Sequence, residues 1–309
     1  MKILVTGGAG YLGSTLVDEM LKFHEVTVLD NFMHRENSLA HLCRLWHLDI
    51  VCGDARDTRL LKGLVPRADI IIPLAALVGA PLCDSDRHGA INTNNGAIES
   101  LCEIASRGQP ILIPTTNSGY GIGKPGKECT EASPLKPITL YGRTKVEAEK
   151  MVMERGNSVS LRLATLFGMA PRMRLDLLVN DFVYRAVHDR SVVLYEADAK
   201  RNYLHVRDAA RAFVHMLDNW AKLRDNIFNV GLSDANLSKR ELCERIKGHV
   251  PSLTTLEAKV GEDPDKRDYI VSNAKIEAAG WRPEFSLDDG IRELIKGYQM
   301  LRANRYANI

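Results

Sequence analysis

The sequence predicts an α/β protein built around a parallel sheet with helices on both faces, and three observations predict it. Short aliphatic and β-branched runs recur at Lys2–Thr6, Glu25–Leu29, Leu48–Cys52, Ile70–Leu74 and Ile111–Pro114. Stretches with apolar residues at helical spacing lie between them, as at Leu12, Leu16, Val17, Met20 and Leu21. The run Ile70–Leu74 is apolar almost throughout, which a strand covered on both faces requires. Strands that alternate with helices build a doubly wound parallel sheet.

The first strand runs into Gly7-Gly8-Ala9-Gly10-Tyr11-Leu12-Gly13 and then into the first helix. Glycines let the backbone pass close to a pyrophosphate, and a helix N-terminus offers it unpaired N–H groups. Gly7, Gly10, Tyr11, Leu12 and Gly13 are the candidate diphosphate residues. Such turns also serve as plain connections, but a strand before and a helix after favour a Rossmann-type dinucleotide site. The second strand ends at Asp30, followed by Asn31, about 20 residues beyond the central glycine. An acid there accepts hydrogen bonds from the adenosine ribose and repels a 2′-phosphate, so NAD is expected rather than NADP. The third strand leads to Asp54 and Ala55, with Asp54 placed to meet the adenine amino group and Asp57 suited to cap a helix. The fourth ends in Leu74-Ala75-Ala76, small enough for a dinucleotide to lie alongside. Pro73 must fall at that strand's end, because it cannot donate to the ladder.

The fifth strand enters Thr115-Thr116-Asn117-Ser118, and a loop-rich segment, Gly119 to Pro137, leads to a helix carrying Tyr141 and Lys145. Four residues apart, these two side chains share a helix face. A tyrosine with a pKa near ~10 is a poor base at neutral pH, and lowering it by roughly three units takes about 4 kcal/mol of phenolate stabilisation. An ammonium group and a nicotinamide cation together are candidates to supply it. Val159 to Leu163 resumes the sheet. From about Gly168 the alternation weakens, which predicts a cofactor domain over 1–168 and a smaller mixed α/β substrate-binding lobe over 169–309. The chain is expected to return to the first domain near 203–231. Leu256 to Trp281 and a last helix, Leu287 to Tyr298, would complete the lobe.

A chain of 309 residues with 45% hydrophobic residues can bury a substantial core as one large or two intimate domains. A net charge of +2, with basic residues dispersed, leaves no footprint for nucleic acid or acidic membranes. No apolar run approaches the ~20 residues of a membrane span. Six cysteines form no Cys-x-x-Cys pair and no cluster with histidine, so free thiols in a reducing compartment are expected and no metal site. Met1–Val5 is too short for a secretory core, and the expectation is a cytoplasmic protein.

Taken together, Thr6-Gly7-x-x-Gly10-x-x-Gly13, Asp30, Asp54, Ala75-Ala76, the Thr115-Thr116 strand end, Tyr141-x-x-x-Lys145 and Arg201-Asn202-Tyr203-Leu204-His205-Val206-x-Asp208 resemble the extended short-chain dehydrogenase/reductases, the nucleotide-sugar epimerases and dehydratases. The resemblance covers nearly the whole chain. It implies that Thr116, with Thr115 as the alternative, bonds the reacting hydroxyl, and that Asn94, or Asn92 or Asn95 beside it, is the asparagine that serves the cofactor site. It implies that Arg201 and Arg267 clamp a diphosphate, a task suited to guanidinium forks. Arg172 and Arg174 lie where such enzymes close a loop over substrate, and Asn117 and Ser118 fall beside the sugar. A homodimer through the helices around Glu99–Ala105 and Thr144–Met153 is implied as well, with burial of those faces inside one chain as the alternative.

The resemblance further implies oxidation of a sugar hydroxyl at carbon 4, with Tyr141 taking the proton, Thr116 orienting the hydroxyl and Lys145 holding the nicotinamide ribose. Dehydratases of the family carry aspartate and glutamate after the threonine. Asn117 and Ser118 stand there, and neither transfers protons usefully near pH 7. Hydride return, giving a 4-epimer, and release of the ketose both remain open. The runs Ile71–Pro81, Asn117–Gly123 and Arg172–Phe182 are similar to the branch of the family that oxidises GDP-linked heptoses, which implies a GDP-sugar partner. A non-catalytic NAD-binding scaffold on the same fold is the alternative from another class.

Overall fold

A computed structural model of the protein describes residues 1–35, 37–124, 126–258 and 267–301. Residues 259–266, part of the expected lobe segment and of the stretch leading to Arg267, lie outside the described residues. Twelve strands occur in chain order among those described: β1 Lys2–Thr6, β2 Glu25–Asp30, β3 Leu48–Cys52, β4 Ile70–Pro73, β5 Ile111–Thr116, β6 Ser158–Leu163, β7 Thr165–Phe167, β8 Ser191–Leu194, β9 Lys200–His205, β10 Asn226–Val230, β11 Asn236–Ser238 and β12 Thr254–Glu257.

Seven of them form one sheet in the order β10-β6-β5-β4-β1-β2-β3, all pairs parallel. The order runs outward in both directions from β1 and β4, and a doubly wound sheet opens a crevice at that reversal, beyond the strands' carboxyl ends. Every position of β6 is buried and so is every position of β4, as helices on both faces demand. Pro73 is the last residue of β4, and the ladder passes to Leu74, whose N–H donates to Thr6 O at 2.8 Å.

One face of the sheet joins the helices Tyr11–Met20 and Val206–Asp218 in a core containing Val5, Leu16, Met20, Ala209 and Phe213. The other joins the helices Ala97–Ile104 and Leu140–Arg155 through Ile71, Ile98, Leu101, Ala148 and Val152. The apolar faces expected to meet a second subunit are thus buried within the chain.

A separate core, with Phe167, Val179, Phe182, Tyr203, Leu242, Ile291 and Leu294, forms the lobe. Around it stand a three-stranded sheet, β11-β9-β7, and a two-stranded one, β12-β8. Near 203–231 the chain packs the helix Val206–Asp218 on the large sheet and adds β10 to its edge, while β9 pairs with β7 and β11 in the lobe. The expected last helix is present as Leu287–Gly297.

Candidate active site

A cleft of about 420 Å³ opens at the carboxyl ends of β1, β2, β4 and β5, with the lobe as its far wall. Its nucleotide end is built by local backbone geometry. Gly7 has φ +74°, and a Cβ there would sit 2.5 Å from Ala75 N; one on Gly13 would sit 2.4 Å from Gly7 O. Only glycine lets the turn, the helix and the β4 exit approach this closely. Gly10 caps the helix Tyr11–Met20 without any side-chain acceptor, so its first amides open to the cleft. Asp30 accepts from Ala9 N at 2.9 Å and from Phe32 N at 2.8 Å, which locks its carboxylate against the turn with lone pairs to spare. Leu12, Asn31, Ala55, Leu74, Ala75 and Ala76 line the same wall. Asp54 lines it too, bound by Arg56 at 2.5 Å, and this hydrogen-bonded pairing holds its carboxyl below the usual range. These features suit a dinucleotide: uncapped helix amides, a cradle that a Cβ would fill, and an acid at the ribose position.

The chemical end centres on the helix Leu140–Arg155, where Thr139 caps the N-terminus by accepting from Gly142 N at 3.0 Å. Tyr141 and Lys145 both line the cleft from its first turns. Thr116, at the end of β5, lines the cleft with them. Thr115 also borders the cleft, but its hydroxyl donates to Glu149 at 2.8 Å on the far side of the strand end. Ser118 N donates to Thr116 Oγ1 at 3.1 Å, Thr116 Oγ1 donates to Ser118 Oγ at 2.8 Å, and an Arg267 N–H also donates to Ser118 Oγ.

The electrostatics differ from expectation in one respect. Burial pushes the Tyr141 hydroxyl up to about 12, and the leading charges that oppose this are Arg174 and then Arg267. Lys145 is not among the leading influences. Its own ammonium is pushed down to about 8 by burial, with Glu149 one turn on pulling the other way. Arg174 is held by Asp176 at 2.5 Å, and Arg172, fully buried, also lines the cleft.

Three expected site residues stand outside the cleft wall. Asn94 is buried behind it in a single π-helical turn, Asn92–Gly96. Its amide accepts from Leu77 N at 2.8 Å and donates to Leu77 O at 3.0 Å and Thr144 Oγ1 at 3.1 Å, so it fastens the β4 exit to the Tyr141 helix. Asn92 and Asn95 do not line the cleft either, and Asn95 Nδ2 donates to Glu147 at 2.6 Å. Asn117 opens the short 3-10 turn Asn117–Tyr120 after β5 and is buried there, away from the cleft. Arg201 is buried beneath Tyr269, its guanidinium 5.9 Å from that ring, and it is Tyr269 that reaches the cleft. Tyr269, His34 and Leu82 were not expected there. Tyr269 follows Arg267 by two residues, the spacing that puts extended residues on one face, so its position was readable. His34 sits in a loop with no such signal; burial and the nearby Arg172 and Arg174 push it down to about 4.

Comparison with known proteins agrees with this geometry. Residues 3–231 match the model of the NAD dependent epimerase/dehydratase family. The chain belongs to that family. It is therefore an NAD-dependent enzyme of the nucleotide-sugar epimerase, dehydratase and decarboxylase group. UDP-glucuronic acid decarboxylase 1 of Arabidopsis thaliana is 29% identical over 97% of this chain and 70% of its own. The low-salt glycan biosynthesis protein Agl12 of Haloferax volcanii is 29% identical over 96% of this chain and 98% of its own. The fold is that of UDP-glucuronic acid 4-epimerase from Bacillus cereus, solved with UDP-glucuronic acid and NAD, at TM-score 0.85 and 22% identity over 98% of this chain and 100% of that one. Among the described residues no helix is long and apolar enough to cross a membrane, and no group of acids, histidines and cysteines is placed to hold a metal ion.

Proposed function

We propose that this enzyme oxidises a nucleotide sugar at carbon 4, with GDP-D-glycero-α-D-manno-heptose as the favoured substrate, in the making of bacterial surface polysaccharide. The observation that carries the reading is the meeting of Thr116, Tyr141 and Lys145 on one cleft, with Asn117 and Ser118 at the two sequence positions after Thr116 where the family's dehydratases carry an aspartate and a glutamate. In this reading Gly7, Gly10, Gly13 and the backbone amides of Tyr11 and Leu12 hold the cofactor diphosphate, and Asp30 holds the adenosine ribose. Bound NAD supplies a hydride acceptor for the hydrogen on carbon 4. Lys145 holds the nicotinamide ribose. Tyr141, ionised, takes the hydroxyl proton, so that a C=O forms as the O–H and C–H bonds break. Thr116 orients the hydroxyl, and Arg174 and Arg267 supply the positive field that ionisation of a buried phenol requires. Arg172 and Ser118 would line the sugar-nucleotide end, and Tyr269 would form its floor.

The GDP-heptose preference rests on the similarity of the segments 71–81, 117–123 and 172–182 to that branch. The test is to incubate the purified protein with GDP-, UDP-, dTDP- and CDP-sugars, GDP-heptose among them, with and without 2-oxo acids as external oxidants. NADH absorbance and product mass are followed. Loss of two hydrogens from GDP-heptose is the expected result. Unchanged mass with inverted stereochemistry would mean 4-epimerisation, and loss of water would overturn the reading of Asn117 and Ser118.

We also propose a homodimer in a cytoplasmic setting. Arg143, Glu147 and Lys150 form an outward row of mixed sign on the helix Leu140–Arg155, and such a row can be complementary to its own copy across a two-fold axis. The six cysteines are free thiols, as suits a reducing compartment. Sedimentation at micromolar concentration should show the dimer, and monomer alone would reject it.

A further inference from the structure

Tyr11 follows the last turn glycine before the helix, yet its side chain leaves the cofactor turn altogether. The ring is 5% exposed and packs in the lobe core beside Phe167, Met173 and Val179. Its hydroxyl donates to Gly168 O at 2.6 Å and accepts from Asn180 Nδ2 at 3.3 Å. Asn180, fully buried, has its amide oxygen on Gly168 N at 3.0 Å and its amide nitrogen also on Arg174 O at 2.8 Å. Its carbonyl in turn accepts from the Tyr298 hydroxyl at 2.8 Å. Three residues after Tyr11, on the same helix face, Ser14 Oγ accepts from Arg172 N at 3.3 Å.

The segment from Gly168 to Arg174 is therefore fixed at both ends to the first turn of the helix that opens on the cofactor diphosphate. At Gly168 the chain passes His205 more closely than any other residue allows: its φ is +107°, and a Cβ there would lie 2.4 Å from His205 Nε2. The same segment presents Arg172 and Arg174 to the cleft, and Arg174 acts on Tyr141. Every hydrogen-bonding group in the link is buried, so a displaced partner has no water to replace it.

We propose that Tyr11 and Asn180 are positioning residues that couple the two halves of the cleft, so that a dinucleotide on the glycine turn sets the Arg172–Arg174 segment for a nucleoside diphosphate. This rests on the reading that NAD and a nucleotide sugar share the cleft. Coupling of this kind is reciprocal: each ligand raises the affinity for the other by the same factor.

The test is calorimetric titration of GDP, with UDP as a second arm, into the full chain with and without saturating NAD. The parent protein should bind GDP or UDP at least roughly fivefold more tightly when NAD is present. Tyr11→Phe keeps the ring and removes only the hydroxyl, and it should bring that factor close to one. Ser14→Ala, which releases the second anchor, should lower it as well. With substrate, Tyr11→Phe should raise KM more than it lowers kcat. A residue that served only the fold would instead lower the melting temperature and weaken both ligands alike, leaving the factor intact. An unchanged factor in Tyr11→Phe, or no factor in a parent that binds both ligands, overturns the coupling while the functional reading stands. A parent that binds neither NAD nor any nucleoside diphosphate overturns both.

Discussion

At the residue scale, the chemistry turns on how a buried phenol ionises. Burial raises the Tyr141 hydroxyl above its ordinary value, and Arg174 and Arg267 oppose it. Only the ionised form takes a proton, so turnover falls as pH drops and the phenolate is lost. Removing a nearby cation makes ionisation harder and must move that acid limb to higher pH. Arg174→Gln should therefore shift the limb of the kcat/KM profile upward by of order one pH unit, as expected for a charge acting through protein at short range. A profile that stays in place would show that Arg174 does not act on Tyr141. Tyr141→Phe removes the base itself and should lower turnover by a factor on the order of 10²–10⁴, with NAD affinity little changed. Full turnover in this variant would rule out Tyr141 as the base.

At the element scale, the helix Leu140–Arg155 must hold Tyr141 and Lys145 in register with β5, and a buried ionic network does this. Glu149, one turn beyond Lys145, meets Arg162 of β6 at 2.6 Å, and its carboxylate also accepts from Thr115 and Ser160 at 2.8 and 2.7 Å. Both side chains of the pair are 5% exposed. Removing one partner leaves an uncompensated buried charge, so Glu149→Leu should destabilise the protein by about 3–5 kcal/mol in denaturant unfolding. Adding Arg162→Met should recover a large part of that, and no recovery would mean the loss comes from packing. Much at this scale was legible beforehand, for physical reasons. Hydrophobic periodicity placed the strands of the large sheet nearly to the residue, and the glycine turn followed from backbone sterics. That Tyr141 and Lys145 share a face was readable because helix faces have fixed geometry, and both line the cleft beside Thr116. The places of Asn94, Asn117 and Arg201 were not readable. Whether a polar side chain faces a cleft or lies one layer behind it depends on partners far away in sequence, here Leu77, Thr144 and Tyr269. The placement of β9 in the lobe sheet was hidden likewise, since a single strand's pattern does not reveal its neighbours.

At the scale of the whole molecule, the cleft is the seam between two hydrophobic cores, one under the seven-stranded sheet and one in the lobe. Few side chains serve both: Leu12 and Leu166 pack against each core. Tyr11 and Ser14 add polar links from the cofactor turn. A ligand that lies along this seam meets β2, β5 and the turns that follow β1 and β4 together, and it binds the folded chain but not the unfolded one. Linkage then fixes the stabilisation at about 2.7 kcal/mol when NAD is present at 100 times its dissociation constant. For a chain of this size that corresponds to a rise in melting temperature of order 5 °C. NADP at the same concentration should raise it less, because a 2′-phosphate would approach the Asp30 carboxylate, which backbone N–H groups hold in place. Asp30→Ala should reduce the NAD shift and narrow the gap between the two dinucleotides. Differential scanning fluorimetry of the parent and this variant with each dinucleotide measures all four values. Equal shifts for NAD and NADP in the parent would remove Asp30 as the source of cofactor choice.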